Sequence, residues 1–185
     1  YAALLAACLT CSQATGEQAL NFPPVKEACE KKAQTLPGRQ PIGNKLFYLP
    51  TRDEPATPAN WGCPYREVEL ISKDGTRLHG WWIVNKGAAS RGTVVFSHGT
   101  AGSMGHHLGF VIWLVKAGYE VLIYDYRGYG QSKGSTDRRG MVQDARAALE
   151  YAGNQRRPGG QLVISYGHSL GGAKSVAAIA EGETP

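Results

Sequence analysis

Polar and apolar residues alternate along the chain from about Tyr65, as expected of strands with one buried face. Arg66–Ser72 alternates in this way, and the apolar segment Leu78–Val84 follows it after the turn-forming pair Asp74-Gly75. Two such runs joined by a short turn predict an antiparallel β-hairpin. The hairpin opens the regular part of the chain.

Short apolar runs and helical patterns then follow one another in alternation. The predicted strands are Thr93–Ser97, Val121–Tyr124 and Gln161–Tyr166, and the predicted helices are Leu108–Ala117, which Gly118 ends, Met141–Ala152, and a helix that starts just after Ser169. A hairpin followed by β-α-β-α-β-α predicts an α/β fold. Its sheet is expected to be mostly parallel, with right-handed crossovers and helices on both faces.

An apolar run, Ala2–Ala7, lies at the start of the sequence. It is much shorter than the roughly 20 residues that span a bilayer, and it resembles the end of a secretory signal peptide without its basic region. Leu5–Cys8 resembles the lipobox of bacterial lipoproteins, whose cysteine becomes the acylated first residue. The resemblance implies lipidation of Cys8 and a place in the cell envelope. The alternatives are an ordinary signal peptide or an apolar helix of a cytoplasmic protein.

Composition narrows the possible classes of protein. With 42% hydrophobic and 19% charged residues, the chain is typical of a globular domain and not of a disordered or membrane-spanning protein. The net charge is +5, and basic pairs such as Arg138-Arg139 and Arg156-Arg157 are scattered, without interleaved aromatic residues. We therefore expect solvated faces and no nucleic-acid partner.

The sequence divides into three segments: the end of a signal peptide or lipobox at 1–8, a proline-containing approach segment at 9–60, and the sheet-forming part at 61–185.

Three cysteines remain if Cys8 is acylated: Cys11, Cys29 and Cys63. In an oxidising compartment Cys29 and Cys63 are a candidate disulfide pair, and reduced structural cysteines are the alternative. The spacing of the cysteines does not indicate a metal site.

Ser169 stands at the centre of the segment Gly167–Gly171, GHSLG. A predicted strand precedes it and a predicted helix follows it. This context is that of a nucleophile elbow, in which a strained serine projects its Oγ above the carboxyl edge of the sheet. Glycines two residues to either side are needed because a Cβ would collide where strand and helix cross. Ser169 is therefore the candidate nucleophile.

The same pattern occurs a second time, in Gly130–Gly134, GQSKG. Here the loop Tyr126–Tyr129 separates the serine from the preceding strand, and the turn formers of Lys133–Asp137 follow in place of a helix. We therefore predict that Ser132 is a loop residue that makes a local hydrogen bond.

A glycine-containing loop, Ser97–Gly102, directly follows the first parallel strand. Acyl transfer builds negative charge on a carbonyl oxygen, and fixed backbone N–H groups stabilise that charge. In an elbow fold one donor is the residue after the nucleophile, here Leu170, and the other comes from this loop. Thr100 is the candidate for the second donor. Ala101 is the alternative, as is a plain strand-to-helix turn without this role.

Five stretches together carry the pattern of a known family: Tyr48–Arg52, Asp74–Trp81, His98-Gly99, Tyr124–Ser132 and Gly167–Gly172. Through them the chain resembles the abhydrolase-domain serine hydrolases, which are related to lysophospholipases, monoacylglycerol lipases and serine aminopeptidases. The resemblance implies an α/β-hydrolase fold, a small-molecule acyl substrate, and no metal or organic cofactor. It places the nucleophile at Ser169 and the oxyanion donors at Leu170 and Thr100.

The acid and the histidine of the family's triad follow the serine in the chain, and residues 173–185 match neither of them. We therefore expect 61–185 to be the amino-terminal half of the domain, which ends after the nucleophile helix and is inactive alone. All five histidines, His79, His98, His106, His107 and His168, precede the serine, so none is expected to be the general base. Local packing or hydrogen bonding is predicted for His98 and His168. Asp125 is expected to brace the loop after its strand, and Asp144 to face solvent or pair locally on its helix.

Two functions of different classes remain open. The first is a serine hydrolase that acts on an ester or other acyl substrate through an acyl-enzyme on Ser169; a peptidase or acyltransferase would share its motifs. The second is a non-catalytic envelope-associated protein that binds a ligand on a degenerate hydrolase scaffold. A later acid at a strand end and a late histidine would favour the enzyme.

Overall fold

The computed structural model of the chain describes residues 47–85, 90–155 and 162–182. Its strands are β1 (Leu49–Pro50), β2 (Tyr65–Ile71), β3 (Arg77–Ile83), β4 (Thr93–Ser97), β5 (Ala101–Gly102), β6 (Glu120–Tyr124) and β7 (Val163–Gly167). Its α-helices are α1 (Ile112–Lys116), α2 (Arg138–Asn154) and α3 (Leu170–Gly182), and 3-10 helices span Pro58–Trp61 and Met104–Phe110. Cys8, Cys11 and Cys29 lie outside the described residues, so their predicted roles stay predictions.

Five strands form the central sheet in the order β2-β3-β6-β4-β7. The predicted hairpin is confirmed: β2 and β3 are antiparallel and turn at Gly75, which has φ +82°. β6 joins β3 antiparallel, and β4 then pairs parallel with both β6 and β7. The sheet therefore changes from antiparallel to parallel at β6.

Helices cover both faces of the sheet, as the alternating pattern predicts. On one face, side chains such as Val95 and Leu122 pack with Met141 and Ala148 of α2 and with Ala178 of α3. On the other face, the neighbouring strand residues pack against the 3-10 helix and α1, and the residues of that second core include Val94, Phe96, Ile123, Leu108 and Ile112. The α/β-hydrolase fold predicted from the sequence is confirmed. None of the helices described is long and apolar enough to cross a membrane.

The segment before the hairpin packs against the sheet. β1 pairs in parallel with β5, and the guanidinium of Arg52 donates hydrogen bonds to the carbonyl oxygens of Gly130 and Ser132 at 2.9 and 2.7 Å. The compact unit that holds the sheet begins at Pro41. Residues 47–60 of the predicted approach segment therefore belong to that unit.

The predicted helix Leu108–Ala117 is replaced by the 3-10 helix Met104–Phe110 and the short α1. Gly105 and Gly109 weaken an α-helix at this place. In addition, a Cβ on Gly105 would lie 2.8 Å from the carbonyl oxygen of Ala56. Close contact with the segment before the hairpin thus sets the path of the backbone here.

Arg127 is the centre of a buried polar network behind the loop that follows β6. Its Nε and Nη2 donate to the carboxylate of Asp144 on α2 at 3.0 and 2.7 Å, and its Nη1 donates to Asp74 of the hairpin turn at 2.6 Å. Asp144 is fully buried. The prediction that Asp144 faces solvent or pairs on its own helix is therefore wrong, because its partner comes from another element.

Candidate active site

Ser169 lies in the turn between β7 and α3. The strand ends at Gly167 and the helix begins at Leu170. Ser169 has φ +53° and is the only residue other than glycine with positive φ among the described residues. That conformation costs about 1–2 kcal/mol for a residue with a Cβ. The predicted strand–turn–helix geometry is present, and it leaves the serine exposed to solvent.

Glycine is required on both sides of this turn. A Cβ on Gly167 would collide with the backbone of Gly171 and Gly172, and a Cβ on Gly171 would collide with the backbone of Ser97 and His98. The start of α3 therefore lies directly against the end of β4. The absence of a Cβ at Gly167 and Gly171 allows the start of α3 to pack this closely against the ends of β7 and β4.

The loop after β4 runs beside the serine turn. The backbone N–H of His168 donates to the carbonyl oxygen of Ser97 at 3.1 Å. A Cβ on Gly99 would lie 3.2 Å from His168 Nδ1, so the loop backbone approaches the turn closely. The sequence-predicted residues Thr100 and Leu170 thus belong to neighbouring segments at the carboxyl edge of the parallel strands.

Thr100 is fixed by three hydrogen bonds, none of which involves its N–H. Its Oγ1 donates to the carbonyl oxygen of Phe47 at 2.6 Å. Its own carbonyl oxygen accepts from the N–H of Leu49 at 3.0 Å and from the hydroxyl of Tyr129 at 2.7 Å. Burial raises the pKa of Tyr129 to about 12, so this phenol keeps its proton and donates. No backbone acceptor for the Thr100 N–H lies among the described residues.

Leu170 is the first residue of α3. The first four N–H groups of a helix have no acceptor within it, and helix N-termini carry partial positive charge. The Leu170 N–H is therefore available to an oxygen that approaches Ser169.

The histidines near the turn make local contacts, as predicted for His98 and His168. His98 is fully buried and its Nδ1 donates to the carbonyl oxygen of Gly99 at 2.8 Å. His107 Nε2 donates to the carbonyl oxygen of Ala101 at 2.8 Å, and burial lowers the pKa of His107, so its ring is neutral. His168 stacks on Phe110 with ring centroids 4.3 Å apart.

Ser132 occupies a different environment from Ser169. It is buried, its Oγ donates to the carbonyl oxygen of Asp125 at 2.7 Å, and the same Oγ accepts from the N–H of His79 at 2.9 Å. Asp125 Oδ1 accepts from the N–H of Met104 at 2.7 Å. The prediction of a hydrogen-bonded loop serine is confirmed. The carboxylate of Asp125 bonds the start of the 3-10 helix that precedes β6, whereas only the carbonyl group of Asp125 is bonded within the loop after its strand.

A cavity of about 460 Å³ beside Leu170 was not foreseen from the sequence. Its lining includes Tyr48, Arg138 and the buried Lys174 of α3. Lys174 Nζ donates to the carbonyl oxygen of Arg138 at 3.0 Å, and burial lowers the pKa of this lysine. The sequence signal was a lone cation in the alanine-rich helix after Ser169.

Cys63 is buried and forms no disulfide with another described residue. Its candidate partner, Cys29, lies outside the described residues, so the choice between a disulfide and reduced cysteines stays a prediction.

Comparison with known proteins gives a family match. Residues 88–185 match the family described as serine aminopeptidase, S33. The uncharacterized protein YfhR of Escherichia coli O157:H7 is 36% identical over 145 residues, which cover 77% of this chain and 50% of that protein. The alpha/beta hydrolase domain-containing protein WAV2 of Arabidopsis thaliana is 35% identical over 135 residues, which cover 70% of this chain and 44% of that protein. The chain spans about half the length of the curated relatives it matches.

Solved structures match over a similar part of the chain. An esterase of Pyrococcus furiosus has a TM-score of 0.64 at 26% identity, with 74% of this chain and 52% of the esterase covered. A serine hydrolase without a lid from Xanthomonas campestris has a TM-score of 0.56 at 24% identity, with 69% of this chain and 59% of that chain covered. The second likeness concerns the fold alone.

Proposed function

The chain belongs to the serine aminopeptidase S33 family of the α/β-hydrolase superfamily, and from this premise we propose that it is part of a serine hydrolase with Ser169 as nucleophile. The substrate class is an ester or other small acyl compound, in keeping with the esterase among its structural neighbours. The observation that carries the proposal is the positive φ of the exposed Ser169 at the end of a parallel strand. Strain of this kind persists where the surrounding structure imposes it, and it concentrates at functional sites.

The N–H groups of Leu170 and Thr100 are proposed as the oxyanion hole. Attack by Oγ converts a carbonyl oxygen into an oxyanion, and two fixed donors stabilise it without reorganisation during the reaction. The hydrogen bonds that hold Thr100 to Phe47, Leu49 and Tyr129 support this assignment, since they fix the side chain and the carbonyl group of this residue, and no hydrogen bond from its N–H is found among the described residues.

The acid and the histidine are proposed to follow residue 185 in the complete protein. This is their order in the fold, and the curated relatives are about twice as long as the matched region. The histidine would take the proton from Ser169 Oγ as the Oγ–carbonyl bond forms, and would give it to the leaving group as the bond between the carbonyl carbon and the leaving group breaks. Water would then release the acyl group from the serine by the reverse sequence of proton transfers.

Ester hydrolysis by matched variants of the complete protein tests this proposal. With short-chain p-nitrophenyl esters, Ser169→Ala is expected to lower kcat by about 10⁴-fold or more, whereas Ser132→Ala leaves kcat near that of the wild type. Parallel assays with amino-acid p-nitroanilides distinguish an esterase from an aminopeptidase. Hydrolysis that Ser169→Ala leaves unchanged would contradict the proposal.

The alternative, a non-catalytic envelope protein, depends on the amino terminus. Cys8 in the lipobox-like Leu5–Cys8 is proposed to carry lipid, and more than one acyl chain would be needed for stable anchoring. Mass spectrometry of the mature amino terminus from the native host tests this: acylated Cys8 supports the anchor, and an unmodified peptide that contains Cys8 excludes it. An anchored protein with no Ser169-dependent turnover would favour the binding function.

A further inference from the structure

Three metal-ligating side chains that the proposed hydrolysis does not use meet beside the end of β6. Asp125 directly follows β6, His79 lies on β3, and Glu54 lies in the segment before the hairpin. One potential ligand atom from each of them lies within 4.8 Å of the others. Three segments distant in the sequence thus direct donor atoms towards one point.

Two of the three side chains have buried polar atoms without a hydrogen-bond partner. Asp125 is fully buried, and its Oδ2 has no partner among the described residues. Both ring nitrogens of His79 are likewise buried without a hydrogen-bond partner. His79 Nδ1 lies 3.4 Å from Glu54 Oε1, and His79 Nε2 lies 3.8 Å from Glu67 Oε2. A buried polar atom without a partner costs about 1–3 kcal/mol, and a bound cation would remove that cost.

The charge balance of the cluster also favours a cation. The carboxylate of Glu54 receives hydrogen bonds from the neutral amide of Gln131 at 3.1 Å. Within the described part of the chain, neither Glu54 nor Asp125 forms an ion pair with a lysine or arginine. His98 Nε2 approaches Asp125 Oδ1 only to 3.4 Å. Carboxylates taken out of water need a positive partner.

We propose that Glu54, His79 and Asp125 bind one divalent transition-metal ion, with Zn²⁺ as the best match. One imidazole nitrogen and two carboxylate oxygens suit Zn²⁺, which holds such ligands at about 2.0–2.2 Å; Ca²⁺ and Mg²⁺ prefer oxygen ligands alone. Tetrahedral ligands at that length are roughly 3.4 Å apart. The distance between His79 Nδ1 and Glu54 Oε1 is already 3.4 Å. One Asp125 oxygen lies within 4.8 Å of a ligand atom of each of the other two residues and would move closer on binding.

The ion would connect the segment of Glu54 to the ends of β3 and β6. Backbone contacts already anchor this segment, since Ser103 Oγ donates to the carbonyl oxygen of Asp53 at 2.6 Å and Gly130 N donates to that of Thr51 at 2.8 Å. The side chains of Glu54 and His79 retain 18% and 13% exposure, which leaves a route for the ion from solvent. The role is structural, and it stands whether or not the proposed hydrolysis is correct.

Calorimetric titration of the chelator-treated complete protein with ZnCl₂ tests the site. The expected result is one Zn²⁺ per chain and a Tm that rises with zinc concentration. Glu54→Gln and His79→Gln should each weaken zinc binding at least about tenfold. The matched control is the nearby pair His106 and Asp53, with Nε2 and Oδ2 3.6 Å apart but both side chains exposed. His106→Gln and Asp53→Asn should leave zinc binding unchanged.

Absence of zinc binding to the wild-type protein would overturn the proposal. So would equal affinity in Glu54→Gln and the wild type. Glu54 is partly exposed, so its replacement should leave the chain folded, which circular dichroism of the variant checks. If His79→Gln fails to fold, the wild-type stoichiometry and the Glu54→Gln affinity still decide the question. Loss of binding in the His106→Gln control would assign the ion to another site and contradict the one proposed here.

Discussion

Two loops of this chain carry the same glycine–serine–glycine pattern and are held in opposite ways. After β6, polar side chains fix the loop: Ser132 is buried between Asp125 and His79, and Arg127 joins the loop to α2. After β7, backbone packed on backbone fixes the turn at Gly171, and Ser169 stays exposed. The glycine–serine–glycine pattern therefore indicates only that another part of the chain packs closely against the backbone of the loop. The surrounding elements decide whether the serine hydroxyl is used for structure or left free.

The largest expected effect comes from the polar network of the first loop. Arg127→Ala removes the partner of the fully buried Asp144 and should lower the free energy of unfolding by about 3–5 kcal/mol. The control is Arg77→Ala, since Arg77 pairs with Glu69 at 3.8 Å while both side chains are largely exposed; the change there should stay within about 1 kcal/mol. Chemical unfolding measures both. Similar losses in the two variants would mean that the network does not hold the loop.

Gly171→Ala should be nearly as severe in the second loop. The added Cβ would collide with the backbone at the end of β4, and we expect a loss of about 3 kcal/mol or more. The control is Gly172→Ala, whose Cβ would make only ordinary van der Waals contact, with the Gly167 carbonyl oxygen nearest at 3.5 Å. Alanine is the better helix former by up to about 1 kcal/mol, so this variant should be neutral or more stable. A tolerated Gly171→Ala would contradict the account of the turn.

Ser132→Ala sharpens the comparison between the two serines. It removes the acceptor of the His79 N–H and the donor to the Asp125 carbonyl oxygen, and it should cost about 1–3 kcal/mol. Catalytic turnover should persist below the melting temperature. Thermal unfolding and ester hydrolysis of the same sample distinguish a structural role of Ser132 from a catalytic one. A variant that is stable but inactive would reverse the roles proposed for the two loops.

The smallest effect concerns pH. Hydrogen bonds from Arg127 and Thr76 hold the pKa of Asp74 below its usual range. Because the pKa is lower in the folded chain than in the unfolded one, near 3.9, the stability it contributes is full above about pH 5 and is lost as the pH falls. Asp74→Asn should therefore flatten the dependence of unfolding free energy on pH in the acid range. Parallel curves for wild type and variant would exclude this contribution.

Local patterns predicted those parts of the structure that local interactions determine. The strand Thr93–Ser97 has the predicted bounds. Strands inside a parallel sheet are buried on both faces, so their whole length is a continuous apolar run that the sequence shows directly. The geometry around Ser169 followed from the glycines and the change of periodicity within a dozen residues.

Contacts between segments that are distant in the sequence could not be predicted from local patterns. Asp144 was expected to face solvent or to pair on its own helix, because its helical position gives no sign of Arg127, which reaches it from another element. The bounds of Leu108–Ala117 failed because the contact of Gly105 with Ala56 overrides the apolar spacing. The cluster of Glu54, His79 and Asp125 is assembled from three such segments and has no sequence signature.

The most direct test of the central claim is to map the residue that a fluorophosphonate probe modifies in the complete protein. Peptide mass spectrometry after labelling should find the adduct on the peptide that contains Ser169, at about one per chain, with none on the peptide that contains Ser132. Ser169→Ala should abolish labelling, and Ser132→Ala should leave it intact in the folded protein. An adduct on another serine, or labelling that survives Ser169→Ala, would contradict the assignment of the nucleophile.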